Sequence, residues 1–284
     1  MMSSIFPLFS LAPSAQGHPL ADSRAPASDH RHPATVSKIT VKDLTLAYGP
    51  KVIMRNLSFD VHKGEVLVIM GGSGSGKSTL LKVLIGLLPP AQGKVFYDST
   101  DYWQASEKDQ QRIMRNMGVL YQHGALWTSM TIAENIALPL ETYTKLRPGQ
   151  IKDLIAFKLG LVGLSGQENL YPSELSGGMQ KRAGLARAMA LDPEVLFFDE
   201  PSSGLDPLSA RRLDDLILEL QSSLGTTMVV VTHDLDSIFA ISTRAIFLDA
   251  GQKTLTEIGD PRILRDQSKD PTIREFLNRG TGTR

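Results

Sequence analysis

A short loop of glycine and serine between a strand and a helix constrains this 284-residue chain more than any other feature. Residues 66–70 form an apolar run, the pattern of a strand buried in a mostly parallel sheet. The loop that follows has the sequence Gly-Gly-Ser-Gly-Ser-Gly-Lys-Ser over residues 71–78. Residues 80–88 then carry leucine and isoleucine at helical spacing, which predicts a helix that continues until Pro89. A strand, a glycine loop and a helix in this order form a phosphate-binding arrangement.

The loop fits the pattern G-x-x-x-x-G-K-[ST], known as the P-loop. Glycines let successive backbone N–H groups curl around phosphate oxygens, and the helix start adds the positive end of its dipole. Lys77 is expected to contact the β- and γ-phosphates of a nucleotide, Ser78 to ligate Mg²⁺, and Thr79 to reach the α-phosphate. A flexible serine–glycine linker is the alternative, which the flanking strand and helix disfavour. The predicted cradle comprises Gly71, Gly72, Ser73, Gly74, Ser75, Gly76, Lys77, Ser78 and Thr79.

An acidic pair follows a second buried strand. Asp199 and Glu200 come directly after the apolar residues 195–198. A carboxylate at the end of a buried strand is costly unless a positive charge compensates it, and nucleotide-bound Mg²⁺ would supply that charge. We therefore expect Asp199 to hold the metal through water and Glu200 to polarise the attacking water. A surface acidic pair is the alternative, and the P-loop upstream argues against it.

A second turn of small residues lies ahead of another helical stretch. Residues 175–180 have the sequence Leu-Ser-Gly-Gly-Met-Gln, and Ser176, Gly177 and Gly178 at a helix start would form another anion site. Because one nucleotide does not easily need two complete cradles from one chain, we expect a paired chain to offer this turn to the first chain's ATP. Taken alone, the stretch fits an ordinary helix N-cap equally well.

Together these motifs resemble the ATP-binding subunits of ABC transporters. Residues 175–180 are similar to the signature usually written LSGGQ. Gln122 resembles the Q-loop glutamine, which lies at the metal with Ser78 and Asp199 and joins it to the helical subdomain. Asp206 ends Ser-Gly-Leu-Asp, a match to the D-loop that faces the opposite subunit.

Two aromatic side chains extend the resemblance. His233 is similar to the switch histidine near the γ-phosphate, and Tyr48 to the aromatic residue that stacks on adenine. Taken singly, His233 is more often a structural histidine at a strand end and Tyr48 more often a core residue. Their order among the other motifs favours the functional interpretation, and the resemblance covers about residues 39–255.

The resemblance implies an α/β fold, a P-loop NTPase with a RecA-like core, an α-helical ABC subdomain and an antiparallel β subdomain. The alternation of strands and helices likewise predicts a parallel sheet covered on both faces. Residues 1–36 are expected to form a disordered N-terminal tail, and residues 37–258 an ABC ATP-binding domain with its helical subdomain at about 124–191. Residues 259–284 would form a C-terminal extension that either folds back on the core or clasps a second subunit.

The resemblance also implies a mechanism. Two ATP-binding domains meet head to tail as a homodimer, with ATP between Lys77 of one chain and Ser176 of the other. Binding closes the pair and hydrolysis reopens it, which moves integral-membrane permease subunits docked near Gln122. The implied catalytic residues are Lys77, Gln122, Glu200 and His233, and the implied cofactors are ATP and Mg²⁺.

A finer resemblance follows the Q-loop glutamine. Residues 121–136 have the sequence Tyr-Gln-His-Gly-Ala-Leu-Trp-Thr-Ser-Met-Thr-Ile-Ala-Glu-Asn-Ile, similar to transporters of the Mla/Mce group, and Met179 in the signature also suits that group. The group moves phospholipids or other hydrophobic molecules across the cell envelope and uses a membrane or periplasmic lipid-binding subunit of the Mce type. The alternative is an ABC ATPase of a non-transport envelope complex, such as the cell-division type.

The apolar residues of this segment have two interpretations. Leu126, Trp127, Met130 and Ile132 either cradle a helix of the permease or pack inside the helical subdomain. The sequence favours neither.

Composition excludes several other classes. Lys plus Arg and Asp plus Glu each number 30, so the net charge is zero and no basic surplus for nucleic acid exists. Cysteine is absent, which excludes a disulfide scaffold and a thiolate metal site. No apolar run reaches the roughly 18–20 residues that a membrane span needs. We therefore expect a peripheral protein at the cytoplasmic face of the inner membrane, held there by its permease partner.

Overall fold

The structure, a computed structural model, describes residues 36–279. Nearly all of the predicted N-terminal tail, and the last five residues of the predicted C-terminal extension, lie outside the described residues. The strands of the described part are β1 (Ser37–Tyr48), β2 (Lys51–His62), β3 (Val66–Met70), β4 (Gln92–Tyr97), β5 (Thr100–Asp101), β6 (Met117–Leu120), β7 (Val195–Asp199), β8 (Thr227–Val231), β9 (Arg244–Asp249) and β10 (Thr254–Gly259).

Helices alternate with these strands through most of the chain. They are α1 (Lys77–Leu84), α2 (Glu107–Arg115), α3 (Ile132–Tyr143), α4 (Pro148–Leu161), α5 (Gly177–Ala188), α6 (Pro207–Leu224), α7 (Leu235–Ile241), α8 (Pro261–Gln267) and α9 (Pro271–Asn278). Helices α3, α4 and α5 follow one another without an intervening strand, within the range predicted for a helical subdomain.

A six-stranded sheet forms the centre, in the order β10-β9-β3-β8-β7-β6. Strands β9, β3, β8, β7 and β6 run parallel, and β10 joins β9 antiparallel. Every residue of β3 is buried because the sheet is covered on both faces. Val66, Val68 and Met70 enter a cluster on the side of α3 to α9, whereas Leu67 and Ile69 enter a cluster shared with α1 and the second sheet.

The second sheet is antiparallel, in the order β2-β1-β4-β5. It packs its apolar face, including Ile39, Leu57 and Val95, against the cluster under β3. The expected combination of a parallel core, an antiparallel β subdomain and a set of helices is therefore confirmed.

The first helix is shorter than the sequence predicts. The apolar spacing extends to Leu88, but α1 ends at Leu84. Gly86 has a left-handed φ of 80°, and a Cβ there would lie 2.1 Å from the hydroxyl oxygen of Tyr102. The prediction was wrong because Gly86 ends the helix before Pro89: the Leu87 N–H donates to the Lys82 carbonyl at 2.8 Å and the Gly86 N–H to the Val83 carbonyl at 3.3 Å, the pattern of a glycine C-cap.

The C-terminal helix packs on its own chain. Ile273, Phe276 and Leu277 of α9 are buried, and the Phe276 ring contacts Phe247 of β9 edge to face at 5.3 Å between centroids. Of the two arrangements left open by the sequence, the structure has the one in which this segment folds back on the core. Among residues 36–279, no helix is long and apolar enough to cross a membrane.

A buried carboxyl group lies between α6 and α7. Asp214 is only 3% exposed, and Ser237 donates a hydrogen bond of 2.9 Å to its Oδ2. Its Oδ1 has no hydrogen-bond partner among the residues that the structure describes. Burial raises the pKa of Asp214 to about 6, and the Ser237 hydrogen bond opposes that shift.

The raised pKa of Asp214 predicts a pH-dependent stability. Because the native pKa lies above the unfolded value, the native state binds the extra proton between about pH 4 and 6, and stability falls as pH rises through this window. Asp214→Asn cannot ionise, so it should raise the free energy of unfolding relative to the wild type by roughly 2 kcal/mol more at pH 7.5 than at pH 4.5. Urea unfolding at the two pH values measures the difference. Asp153→Asn, at an exposed position of α4, is the control and should not reproduce this dependence. An equal effect of Asp214→Asn at both pH values would contradict the assignment.

Candidate nucleotide-binding site

The predicted site residues meet at the carboxyl edge of the central sheet. The loop between β3 and α1 lies there, Glu200 follows β7, His233 follows β8, and Gln122 follows β6. Because these strands are parallel, their carboxyl ends share one edge, which is where open α/β sheets bind ligands. The residues lining a cavity of about 750 Å³ at this edge are Ile53, Gly71, Gly72, Ser73, Gly74, Ser75, Gly76, Lys77, Ser78, Thr79, Gln122, Glu200, His233, Leu235, Phe276 and Arg279.

Lys77 is the central cation of the cavity. It is 8% exposed, and its Nζ donates hydrogen bonds to the carbonyl oxygens of Gly71 at 2.8 Å and Gly72 at 2.9 Å. An ammonium group has three hydrogens, so one remains for a phosphate oxygen. Burial lowers the pKa of Lys77, and the carboxylates of Glu200 and Asp199 oppose this shift. Two anions thus stabilise the charged form of the lysine.

Two glycines of the loop are required by its close packing. Gly71 has φ +150°, and a Cβ there would lie 2.4 Å from the carbonyl oxygen of Leu248 and 2.8 Å from Ser75 Oγ. Gly76, with φ +81°, precedes the first residue of α1, and a Cβ there would lie 3.0 Å from atoms of Ile53 and Met54. A Cβ at Gly71 would meet backbone and displace the phosphate loop, whereas at Gly76 the left-handed φ is the stronger reason for glycine, because the atoms that it would meet belong to side chains.

Asp199 and Ser78 form the part of the site that fits a metal ion. Burial raises the pKa of Asp199, the Glu200 carboxylate raises it further, and Lys82, a Ser78 hydrogen bond and Lys77 oppose these effects. Asp199 Oδ1 has no hydrogen-bond partner among the described residues. Within residues 36–279, no three His, Cys, Asp or Glu side chains cluster as a metal cage. One carboxylate and one hydroxyl suit Mg²⁺, which takes its remaining ligands from phosphate and water.

Glu200 and His233 form a hydrogen-bonded pair. Nδ1 of His233 lies 2.8 Å from Oε1 of Glu200, and the carboxylate side chain is 14% exposed. Since an ionised carboxylate only accepts hydrogen bonds, the shared hydrogen is assigned to His233. Glu200 Oε2 is buried and has no partner in the described part of the chain. One carboxylate oxygen is therefore fixed by the histidine, and the other is buried inside the site without a hydrogen bond.

Gln122 lies at the edge of the cavity and connects two loops. Its Nε2 donates a hydrogen bond of 3.1 Å to Ser203 Oγ, in the turn after Glu200. The glutamine thus links the end of β6 to the segment that ends at Asp206. Its predicted contact with the metal stays a prediction.

The remaining predicted residues lie outside this cavity. Ser176 caps α5 and accepts from the Met179 N–H at 3.3 Å, and Gly177 and Gly178 form the first turn of that helix. Asp206 caps α6 by accepting from the N–H groups of Leu208 and Ser209. The hydrogen bond from the Ser209 side chain, followed by that from its backbone, lowers the pKa of Asp206.

The base-stacking residue is also separate from the cavity. Tyr48 ends β1, is 46% exposed and is not among the residues that line it. The residue of the antiparallel sheet that lines the cavity is instead Ile53 of β2. The stacking role of Tyr48 stays a prediction.

Four lining residues were missed by the sequence analysis. Ile53, Leu235, Phe276 and Arg279 reach the cavity from β2, α7, α9 and the residue after α9. The apolar spacing of Phe276 predicts a helix, but no local pattern indicates that this helix covers a site two hundred residues earlier in the chain.

A phosphate cradle, a carboxylate–hydroxyl pair and a carboxylate–histidine pair at the edge of a parallel sheet define a nucleotide-binding protein of the P-loop class. The family model described as "ABC transporter" matches residues 54–203. The chain belongs to the ABC transporter ATP-binding family, which confirms the expected resemblance.

Relatives and solved structures agree with the family. The "Probable ribonucleotide transport ATP-binding protein mkl" of Mycobacterium leprae is 42% identical over 250 residues, covering 88% of this chain and 71% of that protein. The "Intermembrane phospholipid transport system ATP-binding protein MlaF" of Haemophilus influenzae is 42% identical over 239 residues, covering 84% of this chain and 89% of that protein. A bacterial ABC transporter cassette solved as a dimer has a TM-score of 0.71 at 30% identity, covering 78% of this chain and 98% of that chain. The MlaF relative also confirms the finer resemblance to the Mla group.

The packing at Gly71 predicts the effect of a single methyl group. Gly71→Ala should lower the affinity for ATP at least about tenfold, because the Cβ clash displaces the phosphate loop. Equilibrium titration with a fluorescent ATP analogue measures the affinity. Gly149→Ala, in the first turn of α4 with no atom within 4 Å of its Cβ, is the matched control and should bind like the wild type. Unchanged affinity in Gly71→Ala would contradict the assigned cradle.

Proposed function

We propose that this protein hydrolyses ATP and thereby drives a membrane transporter that moves phospholipid or another hydrophobic molecule across the cell envelope. The observation that carries the ATPase part is the Glu200 carboxylate, which faces the phosphate cavity with one oxygen bonded to His233 and the other without a partner among the described residues. A carboxylate held in this way can accept a proton from a water molecule that attacks the terminal phosphate.

Each cavity residue has a role in this reaction. The loop N–H groups and the start of α1 bind the phosphates, and Lys77 offers its third hydrogen to a phosphate oxygen. The Glu200 carboxylate would orient the attacking water, and His233 fixes that carboxylate through Oε1. Mg²⁺, held by Ser78, Asp199 and Gln122, would neutralise charge that develops on the phosphate oxygens.

A second copy of the chain would complete the site. Ser176, Gly177, Gly178 and Asp206 lie outside the cavity of their own chain, as a head-to-tail homodimer requires. Cβ positions at Gly177 and Gly178 would lie 3.7 Å from Leu205 and 3.5 Å from Ser209, so the signature turn and the D-loop share one surface. The dimeric state of a solved relative supports this pairing.

The loop after Gln122 supplies a surface for the permease. Leu126 is partly buried and Ile132 fully buried, whereas Trp127 is 57% exposed. Trp127 borders a cavity of about 390 Å³ together with Tyr143, which is 52% exposed. Ile132 therefore packs inside the protein, whereas Trp127 is free to contact a partner. An exposed tryptophan beside a groove suits a helix of a membrane partner.

The surface around Trp127 is held rigidly. The buried side chain of Asn135 accepts from the Trp127 N–H at 2.7 Å. The two hydrogens of its Nδ2 are shared among the carbonyl oxygens of Trp127, Met130 and Thr131, which lie 2.9–3.2 Å away. Arg187 of α5 donates to the carbonyl oxygens of Gly124 and Ala125. A partner that pushes on Trp127 would therefore act on α5 and on Gln122, at the cavity.

The lipid part of the proposal rests on the Mla-type segment at residues 121–136 and on the MlaF relative, whose name states intermembrane phospholipid transport. Permease subunits and an Mce-type lipid-binding subunit would complete the complex, with this chain peripheral at the cytoplasmic face of the inner membrane. The mkl relative, named for ribonucleotides, supplies the second candidate substrate. The cell-division alternative gains no support from these relatives.

The role of Glu200 predicts that a variant without its carboxylate binds ATP but does not hydrolyse it. Glu200→Gln should lower ATP turnover by at least about 10²-fold, because the amide cannot accept the proton, and should keep ATP affinity. Phosphate release and ATP titration measure the two quantities, and light scattering should show an ATP-dependent dimer. Glu219→Gln, at an exposed position of α6, is the control and should turn over normally. Wild-type turnover by Glu200→Gln would overturn the assigned role.

Exposure of Trp127 predicts its importance for partner binding. Trp127→Ala should weaken binding to the membrane partner by about 2 kcal/mol or more, because tryptophans that become buried at an interface contribute much of its binding energy. The affinity for ATP should not change. Recovery of membrane proteins with the tagged chain measures the loss. Phe157→Ala, at an equally exposed aromatic of α4, is the matched control. Equal recovery with Trp127→Ala and wild type would place the docking surface elsewhere.

Co-purification tests the transport function itself. Tagged Glu200→Gln is isolated from detergent-solubilised membranes of the native host with ATP and Mg²⁺, and bound proteins and lipids are identified by mass spectrometry. A multi-span permease with a lipid-binding partner and phospholipid supports the proposal. A permease that carries nucleotide favours the ribonucleotide candidate, and a division-type complex without lipid rejects transport.

A further inference from the structure

Lys181 of α5 is a buried lysine whose ammonium group is surrounded by backbone carbonyls. It is 5% exposed, and its Nζ donates to the carbonyl oxygens of Pro201 and Ser203, both at 2.6 Å. The carbonyl oxygen of Glu200 lies 3.4 Å away. These three contacts use all three hydrogens of the ammonium group.

The carbonyls belong to the turn that carries the catalytic carboxylate. Glu200 has a φ of 48°, in the left-handed region that is unfavourable for residues other than glycine. Its N–H donates to the Val231 carbonyl at 2.8 Å, so β8 holds one side of the turn. Lys181 holds the other side. A strained conformation persists only where its surroundings fix it, and strain of this kind is concentrated at functional sites.

A second buried lysine shows what a structural role alone looks like. Lys158 of α4 is 1% exposed and forms an ion pair with Asp192, and neither residue lines the nucleotide cavity. Lys181 forms no ion pair with any residue in the described part of the chain, so carbonyl dipoles alone bind its charge directly. Burial lowers the pKa of Lys181, and the Glu200 charge opposes this. Burying a charge without a carboxylate in contact is costly, so we infer that the ammonium group of Lys181 has a role at this turn.

We propose that Lys181 is a positioning residue for ATP hydrolysis, whose ammonium group holds the backbone from Glu200 to Ser203 so that the Glu200 carboxylate and the D-loop keep their reactive geometry. The inference rests on the proposed ATPase function. It also goes beyond it, because α5 follows its N-cap Ser176, the signature residue that would bind the ATP of the partner chain. Lys181 then joins the signature helix of one ATP site to the catalytic carboxylate of the other.

Methionine, arginine and glutamine substitutions separate positioning from simple stabilisation. Lys181→Met keeps the length of the side chain and removes its donors, so kcat should fall about tenfold to a hundredfold, because misplacement by about an ångström has effects of this size. KM for ATP should stay within about twofold, since the P-loop is untouched. Lys181→Arg restores a cation with donors and should recover part of the lost kcat. Lys181→Gln keeps two donors on a shorter chain and serves if the methionine variant does not fold.

The measurement is steady-state phosphate release by the full chain, purified with the membrane proteins that it retains, together with a thermal unfolding curve for each variant. Lys158→Met is the matched control and should lose stability but keep the wild-type kcat. A wild-type kcat in folded Lys181→Met or Lys181→Gln would overturn the inference and leave the ATPase function standing. So would an equal loss of kcat in the Lys158 and Lys181 methionine variants. Absence of turnover in the wild type would instead overturn the proposed function and this inference with it.

Discussion

Mutual compensation of buried charges at the carboxyl edge of the central sheet underlies the site. The charges of Asp199 and Glu200 act on the pKa of Lys77, and those of Lys77 and Glu200 on the pKa of Asp199. A charged group at such a depth would be costly to bury alone. Burial lowers the pKa of Lys77 and raises that of Asp199, whereas their mutual attraction opposes both shifts. The parallel strands β3, β8 and β7 supply the rigid base, because adjacent strands with aligned ends leave little freedom for the loops that follow them.

Helix α5 connects the parts of this arrangement. Its first turn carries the signature, Lys181 in its second turn binds the loop after β7, and Arg187 in its last turn binds the loop after Gln122. Lys181 and Arg187 both donate to backbone carbonyls, so these contacts fix the path of the chain and do not depend on the side chains of the loops. A displacement of α5 as a rigid body would move all three elements together, which is the mechanical property that a coupled ATPase needs.

The sequence predicts the site where its signal is local. The loop at residues 71–78 and the pair Asp199–Glu200 each follow an apolar strand directly, so a short window contains the whole pattern. Residues 92–115 carry no clear periodic pattern, because β4 begins with exposed polar residues and only Ile113 of α2 is buried. The end of α1 at Gly86 had a local signal, the glycine itself, which the leucine spacing outweighed. The contact of α9 with the cavity joins distant parts of the chain, so no local pattern indicates it.

The signature turn at the start of α5 has no ligand within its own chain, and this favours a homodimer. Ser176 Oγ satisfies only one of the N–H groups that the first turn of α5 leaves without intrahelical partners, so that turn keeps the capacity to bind an anion. The cavity of the same chain already has its own cradle from Gly71 to Thr79 and does not include this turn. In a head-to-tail pair, the signature turn of each chain would bind the phosphates held in the other chain's cavity. The turn would then have an anion to bind, although it lies outside the cavity of its own chain. Because Lys181 ties that turn's helix to Glu200, the geometry of one carboxylate would then depend on whether the other site is filled.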